Sequence, residues 1–243
     1  MLKYFVCFYQ LGLILSLYLL ASCDNEPGKI YVESENIIIN DSIEEDHTMS
    51  AIIAPYRDSL TEEMSTIISY ATSDFINQRP EGALGNYVTD ITLNFIRNSP
   101  LFSGNEPLIC MMNTGGLRAP ISKGPINVGH IYQLMPFDNT IVLLKLPKEK
   151  IAEIVEYINT SGGEPISGFI VHNQKAYPID KKEFGDTLYM ITTDYLASGG
   201  DRMQFFKEYY EKIETGIFLR DVLIEMTEQN DTIYPKIDER IKL

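Results

Sequence analysis

The chain has 243 residues and a formal net charge of −14, from 20 Lys and Arg against 34 Asp and Glu. That length holds one domain, or two small ones, with a substantial core. The acidic excess disfavours a nucleic-acid polymer or an acidic bilayer as the main partner, while small anions stay within reach wherever a local arginine overrides the global field.

Met1 to Ser22 carries one charge, Lys3, then the apolar run Leu11 to Leu20, then Ala21 and Ser22 before Cys23. This reads as a signal peptide (residues 1–22) ending in the lipobox Leu20-Ala21-Ser22-Cys23, with Cys23 as the lipidated first residue of the mature chain. The alternative is an uncleaved membrane anchor. A multiply acylated Cys23 would hold an exported protein on a membrane, at the periplasmic side or the cell surface. Of the three cysteines, Cys7 leaves with the leader and Cys23 is acylated, so Cys110 has no disulfide partner and reads as a buried, inert thiol. Residues 23–43 form a polar tether rich in Asp, Asn, Glu, Pro, Gly and Ser, with Ile37-Ile38-Ile39 as a candidate first strand.

A single domain is expected over residues 44–243. Glu44 to Met64 keeps helical spacing at Met49, Ile52, Ile53, Tyr56 and Leu60, which predicts a long amphipathic helix. Ile67 to Ala71 reads as a strand, and Val88 to Ile96 as a helix opened by Gly85-Asn86. Leu108 to Met112 is a fully apolar run, hence a core strand, and Asn113-Thr114-Gly115-Gly116-Leu117-Arg118 follows as a polar-glycine turn. Such a turn reads either as a structural turn with a surface arginine or as a binding loop. In the second case Gly115 and Gly116 let the backbone approach a ligand, Asn113 donates and accepts, and Arg118 offers a fork for phosphate or carboxylate.

Further on, Val128 to Leu134 predicts a short helix ending at Met135-Pro136-Phe137, and Thr140 to Leu146 a β-branched strand. Lys148 to Ile158 predicts a helix closed by Ser161-Gly162-Gly163. Ile166 to His172 and Leu188 to Thr192 are further strands. Thr193 to Asp201 is a second polar-glycine turn, and Phe218 to Met226 a last helix. Strands and helices interleave without a repeat, so the fold class is α+β, with α/β-type mixed sheets flanked by helices.

Catalytic motifs are not found. His47, His130 and His172 form no His-x-His, His-Glu-x-x-His or Asp-x-His cluster, and no cysteine pair offers a zinc site. There is no Gly-x-Ser-x-Gly elbow, P-loop or Gly-x-Gly-x-x-Gly. Each lone histidine reads as a satisfied surface or core residue.

Four segments occur in the order found in one known family: Glu81 to Asp90 (EGALGNYVTD), Asn113 to Pro120 (NTGGLRAP), Leu134 to Asn139 (LMPFDN) and Thr193 to Met203 (TDYLASGGDRM). On these the chain, over roughly residues 45 to 230, resembles the C-terminal, substrate-binding domain of the 5′-nucleotidase family. The resemblance implies a base held between Phe137 and Tyr195, ribose bound by Asp201, and phosphate on the side of Asn113 and Arg118, with Gly115 and Gly116 between them. Tyr195 departs from the family's phenylalanine but keeps a π face. Arg79 stands near a further family arginine at a different offset and is carried over as a substrate-binding candidate. The bland alternative for Phe137 and Tyr195 is two core aromatics.

Family enzymes place a two-metal phosphoesterase domain ahead of this one, whereas here the tether is expected to run directly into the helix at Glu44. The chain is therefore expected to hold no cofactor of its own. It reads as the nucleotide-recognition half of an exported 5′-nucleotidase-type phosphohydrolase, inactive alone, with divalent metals in a separate metallophosphoesterase chain. The alternatives are an autonomous nucleotide- or nucleoside-binding lipoprotein and a degenerate scaffold.

Overall fold

A computed structural model describes residues 34–36, 38, 40, 43–180 and 183–243. The leader, Cys23, and Ile37 and Ile39 of the candidate first strand lie outside the described residues. The chain divides into two units, Met1–His47 and Thr48–Leu243; the fold below is that of the second, whose first helix begins one residue earlier.

The elements run α1 (His47–Ser65), β1 (Ile67–Ala71), α2 (Ala83–Asn98), β2 (Leu108–Met111), β3 (Gly124–Asn127), α3 (Val128–Leu134), β4 (Thr140–Pro147), α4 (Lys150–Ser161), β5 (Ile166–Ser167), β6 (Phe169–His172), β7 (Lys175–Pro178), β8 (Thr187–Thr193), α5 (Asp194–Ala197), β9 (Glu211–Phe218), α6 (Leu219–Glu228), β10 (Thr232–Ile233) and β11 (Ile241–Lys242). A five-stranded sheet, β5-β2-β8-β4-β9, stands at the centre. β2 and β8 run parallel, and β4 lies antiparallel to both β8 and β9.

This sheet is buried on both faces, which is why its strands read as unbroken apolar runs instead of alternating ones. Leu108, Cys110, Ile141, Leu143 and Ile191 join one core cluster with α2, α3 and α6. Their neighbours Ile109, Met111, Val142, Leu144 and Met190 face the other cluster, with Ile154, Val155 and Ile158 of α4 and Phe205 and Phe206. Cys110 is a free, fully buried thiol, as expected, and burial together with the nearby Asp90 charge holds it protonated well above the usual thiol range.

Several expectations need correction. The run Ile166 to His172 is two strands in two different sheets, because Gly168 (φ 82°) turns the backbone where a Cβ would lie 2.6 Å from the Leu108 carbonyl oxygen. α2 begins at Ala83, not near Val88, since Leu84 and Asn86 of the first turn are buried against neighbouring elements. α1 has the expected helical spacing, but none of its residues is buried; Ile52, Ile53, Tyr56 and Leu60 stand 51–77 % exposed. β9 was not foreseen: Glu211-Lys212-Ile213-Glu214 is an edge strand whose charges face solvent, so it has no apolar run.

The segment Glu81 to Asp90 anchors the end of the chain. Buried Arg240 donates to both oxygens of Asp90, to both of Asp238 and to the Ile166 carbonyl. Glu81 accepts from the Asn86 side chain (2.6 Å) and from the Asp238 N–H (3.0 Å). One arginine among three carboxylates thus straps residues 236–240 onto the N-terminal end of α2.

Candidate functional site

The strand directions bring three loops to one edge. The carboxyl ends of the parallel pair β2 and β8 and the start of antiparallel β4 all lie there, and loops at the carboxyl ends of parallel strands are where clefts open. A cleft of about 380 Å³ sits at this edge, lined by Asn113, Gly115, Gly116, Arg118, Phe137, Asn139, Tyr195 and Asp201. Seven of the eight were singled out from the sequence. Asn139 was not assigned a role, although it lies within the quoted Leu134 to Asn139 segment.

The first loop leaves β2 and makes one 3-10 turn over Thr114–Gly116. It is held from below by groups remote in sequence. Buried Glu164 accepts from the Thr114 N–H (2.7 Å) and hydroxyl (2.8 Å), and the Asn77 amide donates to the Thr114 (2.9 Å) and Leu117 (3.2 Å) carbonyls. Arg79 does not line the cleft. Its guanidinium is bound to Glu164 (2.6 Å) and to the Gly163 carbonyl (2.9 Å), so it neutralises the carboxylate that shapes the loop. Arg118, by contrast, makes no ion pair among the described residues; its guanidinium donates to the Gly115 carbonyl at 3.3 Å and is exposed.

The second loop, residues 135–139, carries Phe137. Arg220 at the start of α6 grips it: Nη1 donates to the Met135 (3.4 Å) and Phe137 (3.3 Å) carbonyls, and Nη2 to Asp138 (2.6 Å), while the guanidinium lies 4.3 Å from the Tyr132 ring centroid. Arg220 is 9 % exposed, and charge-assisted bonds of this kind are worth most where water is excluded. No local signal marks Arg220 in the sequence, because the loop it holds lies more than eighty residues upstream.

The third loop begins at α5. The Thr193 hydroxyl accepts from the Leu196 N–H, and Asp194 accepts from the N–H groups of Tyr195 (2.8 Å) and Thr140 (3.1 Å), which joins this loop to the second. The chain then passes through Gly200, where a Cβ would stand 2.5 Å from the Tyr195 ring, to Asp201 and Arg202 in the left-handed region (φ 49° and 66°). Two successive non-glycine residues there cost on the order of 1–2 kcal/mol each, and bonds hold them. Tyr157 donates to the Asp201 carbonyl (2.9 Å), Tyr195 donates to Asp201 Oδ1 (2.8 Å), and Asn113 donates to Oδ2 (2.6 Å). Tyr157 is itself propped edge-on against Phe205. The bond to the Asp201 carboxylate raises the Tyr195 phenol above its ordinary value, and burial raises that of Tyr157.

Phe137 and Tyr195 are 41 % and 45 % exposed, so neither is a core aromatic. The cleft therefore combines two exposed aromatic rings, an acceptor carboxylate, an amide and a guanidinium fork. These are binding chemistries for a flat ring, hydroxyl groups and an anion. Among the described residues no three His, Cys, Asp or Glu side chains group as a metal ion would need. His130 accepts from the Asn127 N–H in a helix cap, and His172 bonds the Glu239 carbonyl, so both are satisfied locally.

Solved structures share this fold. A 5′-nucleotidase precursor from Thermus thermophilus aligns with a TM-score of 0.64 at 24 % identity, over 82 % of this chain and 43 % of that one. The Haemophilus influenzae NAD nucleotidase aligns with a TM-score of 0.59 at 15 % identity, over 81 % and 41 %. The fold is thus α+β, shared with part of each of these longer chains. Residues 65–171 match the family model described as "5'-nucleotidase, C-terminal domain". The mouse 5′-nucleotidase is 26 % identical over 93 % of this chain, and the trifunctional nucleotide phosphoesterase of Bacillus subtilis 24 % identical over 90 %. The chain spans 45 % of the mouse protein and 17 % of the bacterial one, so it corresponds to less than half the length of either.

Proposed function

We propose that the cleft receives a nucleoside or nucleotide, with its base between Phe137 and Tyr195, its ribose on Asp201, and its phosphate toward Asn113, Gly115, Gly116 and Arg118. The observation that carries this reading is the convergence of these residues, from three separate loops, in one cleft of about 380 Å³, with a guanidinium that no acid neutralises among the described residues. That volume lies within the range of about 300–1,000 Å³ usual for small-ligand pockets. Each base–aromatic stack adds about 1–3 kcal/mol, and the carboxylate and fork orient the two polar ends.

In this reading the chain is the recognition half of a 5′-nucleotidase-type phosphohydrolase serving nucleotide catabolism. It is exported and tethered through lipidated Cys23, and a metallophosphoesterase chain supplies the two metals that activate water and clamp the phosphate.

The test is a calorimetric titration with ribonucleosides, their 5′-monophosphates, larger nucleotide conjugates and ribose 5-phosphate, followed by phosphatase assays with Mn²⁺, Zn²⁺ or Co²⁺. Nucleosides are expected to bind and ribose 5-phosphate to bind far more weakly, and the chain alone is expected to release no phosphate. Adding the metallophosphoesterase should raise that partner's kcat/KM, since stacking holds the scissile phosphate near the metals. Nucleoside binding without such a gain would favour an autonomous binding lipoprotein. Failure to bind nucleosides, or metal-dependent hydrolysis by this chain that Arg118→Ala abolishes, would overturn the reading.

A further inference from the structure

The Tyr195 hydroxyl has a partner that stacking does not require. It donates to Asp201 Oδ1 at 2.8 Å and accepts from the Asp201 N–H at 3.3 Å, while the Asn113 amide donates to Oδ2 at 2.6 Å. An ionised carboxylate has about four acceptor positions, two on each oxygen. Here one position on each oxygen is occupied by the protein, which leaves one on each for a ligand in the cleft that Asp201 lines. The Tyr195 and Asn113 bonds, one to each oxygen, orient the carboxylate.

We propose that the Tyr195 hydroxyl is a positioning group that sets Asp201 to accept two hydrogen bonds side by side, so that the site selects a vicinal diol, and thereby ribonucleosides over 2′-deoxyribonucleosides. This rests on the reading that places ribose on Asp201, and adds to it the group that orients that carboxylate. Two adjacent hydroxyls, each donating to a different oxygen, fit the two open positions. A sugar with one hydroxyl leaves one oxygen to water. In a ligand-free carboxylate with unrestricted rotation, the second bond would have to be won against solvent at each encounter; with both oxygens already oriented, that ordering is done before the ligand arrives.

The experiment measures dissociation constants for the four ribonucleosides and their 2′-deoxy and 2′,3′-dideoxy forms with the full chain, Tyr195→Phe, Asp201→Asn and the double variant. The readout is the deoxy-to-ribo ratio, in which any change in stacking common to both ligands cancels. The wild-type ratio is expected to be about tenfold, which is the size of one hydrogen bond to a charged group in a partly solvated site. Tyr195→Phe should lower it to about threefold or less. Asp201→Asn should lower it similarly, and the double variant no further, since the hydroxyl acts only through Asp201. A Tyr195→Phe variant that keeps the wild-type ratio, or a double variant whose losses add, would overturn the assignment. Wild-type protein that binds ribo- and deoxyribonucleosides equally would overturn this inference while leaving the nucleoside reading in place; wild-type protein that binds neither would overturn both.

Discussion

Phe137 and Phe205 are the same residue in opposite situations, and truncating each separates binding from stability. Phe137 is 41 % exposed on the cleft, and its loop is fixed through backbone carbonyls by Arg220, not through its ring. Burying a whole phenylalanine side chain contributes about 1.5–3 kcal/mol, so a ring little more than half covered contributes about 1–2 kcal/mol at most. Its removal opens onto solvent and leaves no cavity. Phe137→Ala should therefore lower the melting temperature by no more than about 2–8 °C, at roughly 2–4 °C per kcal/mol for a domain of this size. Phe205 is 6 % exposed and packs edge-on against Phe206 at 4.6 Å and Tyr157 at 5.5 Å. Phe205→Ala should cost about 3–5 kcal/mol, transfer and cavity together, and lower the melting temperature correspondingly further. Nucleoside affinity should respond in the reverse order, falling by about 1–3 kcal/mol in Phe137→Ala, or roughly five- to 150-fold by calorimetry. Should Phe137→Ala unfold as readily as Phe205→Ala while binding nucleosides unchanged, the aromatic-clamp argument fails.

Three other outcomes follow from particular contacts. Arg118→Ala should weaken 5′-monophosphates more than nucleosides, because its fork has no acid partner among the described residues; equal losses in the same titrations would remove it from the phosphate role. Bonds from Arg240, and from Lys236, hold the Asp238 carboxyl well below the usual carboxylate range, so its contribution to stability is complete above an unfolded pKa of about 4 and is lost as the pH falls toward the folded value. Arg240→Met removes that contribution and leaves Asp90 and Glu81 without their cation, so it should cost about 3–5 kcal/mol at pH 7 and distinctly less at pH 3, read as two melting-temperature differences; equal differences would refute the ionic strap. Cys23→Ser should move the protein from the membrane to the soluble fraction with its melting temperature unaltered, and a serine variant that stays membrane-bound would discard the lipobox.

Sequence alone determined what is local. Apolar runs such as Leu108 to Met111 and Thr140 to Leu146 mark strands covered on both faces, and the short helix read over Val128 to Leu134 is α3. The chemistry of the cleft was also legible, since glycine turns that end apolar runs expose the polar and aromatic groups beside them. Only tertiary structure decided what those groups face. The parallel pairing of β2 with β8 and the reversed β4 bring Asn113, Phe137 and Asp201 to one edge, and the Asn113–Asp201 bond spans 88 positions of chain. Arg79, carried over as a substrate-binding candidate, is paired with Glu164, and Arg220 was invisible until α6 docked beside the Phe137 loop. A guanidinium has the same five donors whether it meets a ligand or a carboxylate of its own fold; which acceptor it meets is set by packing across distant segments, on which residue type and spacing are silent.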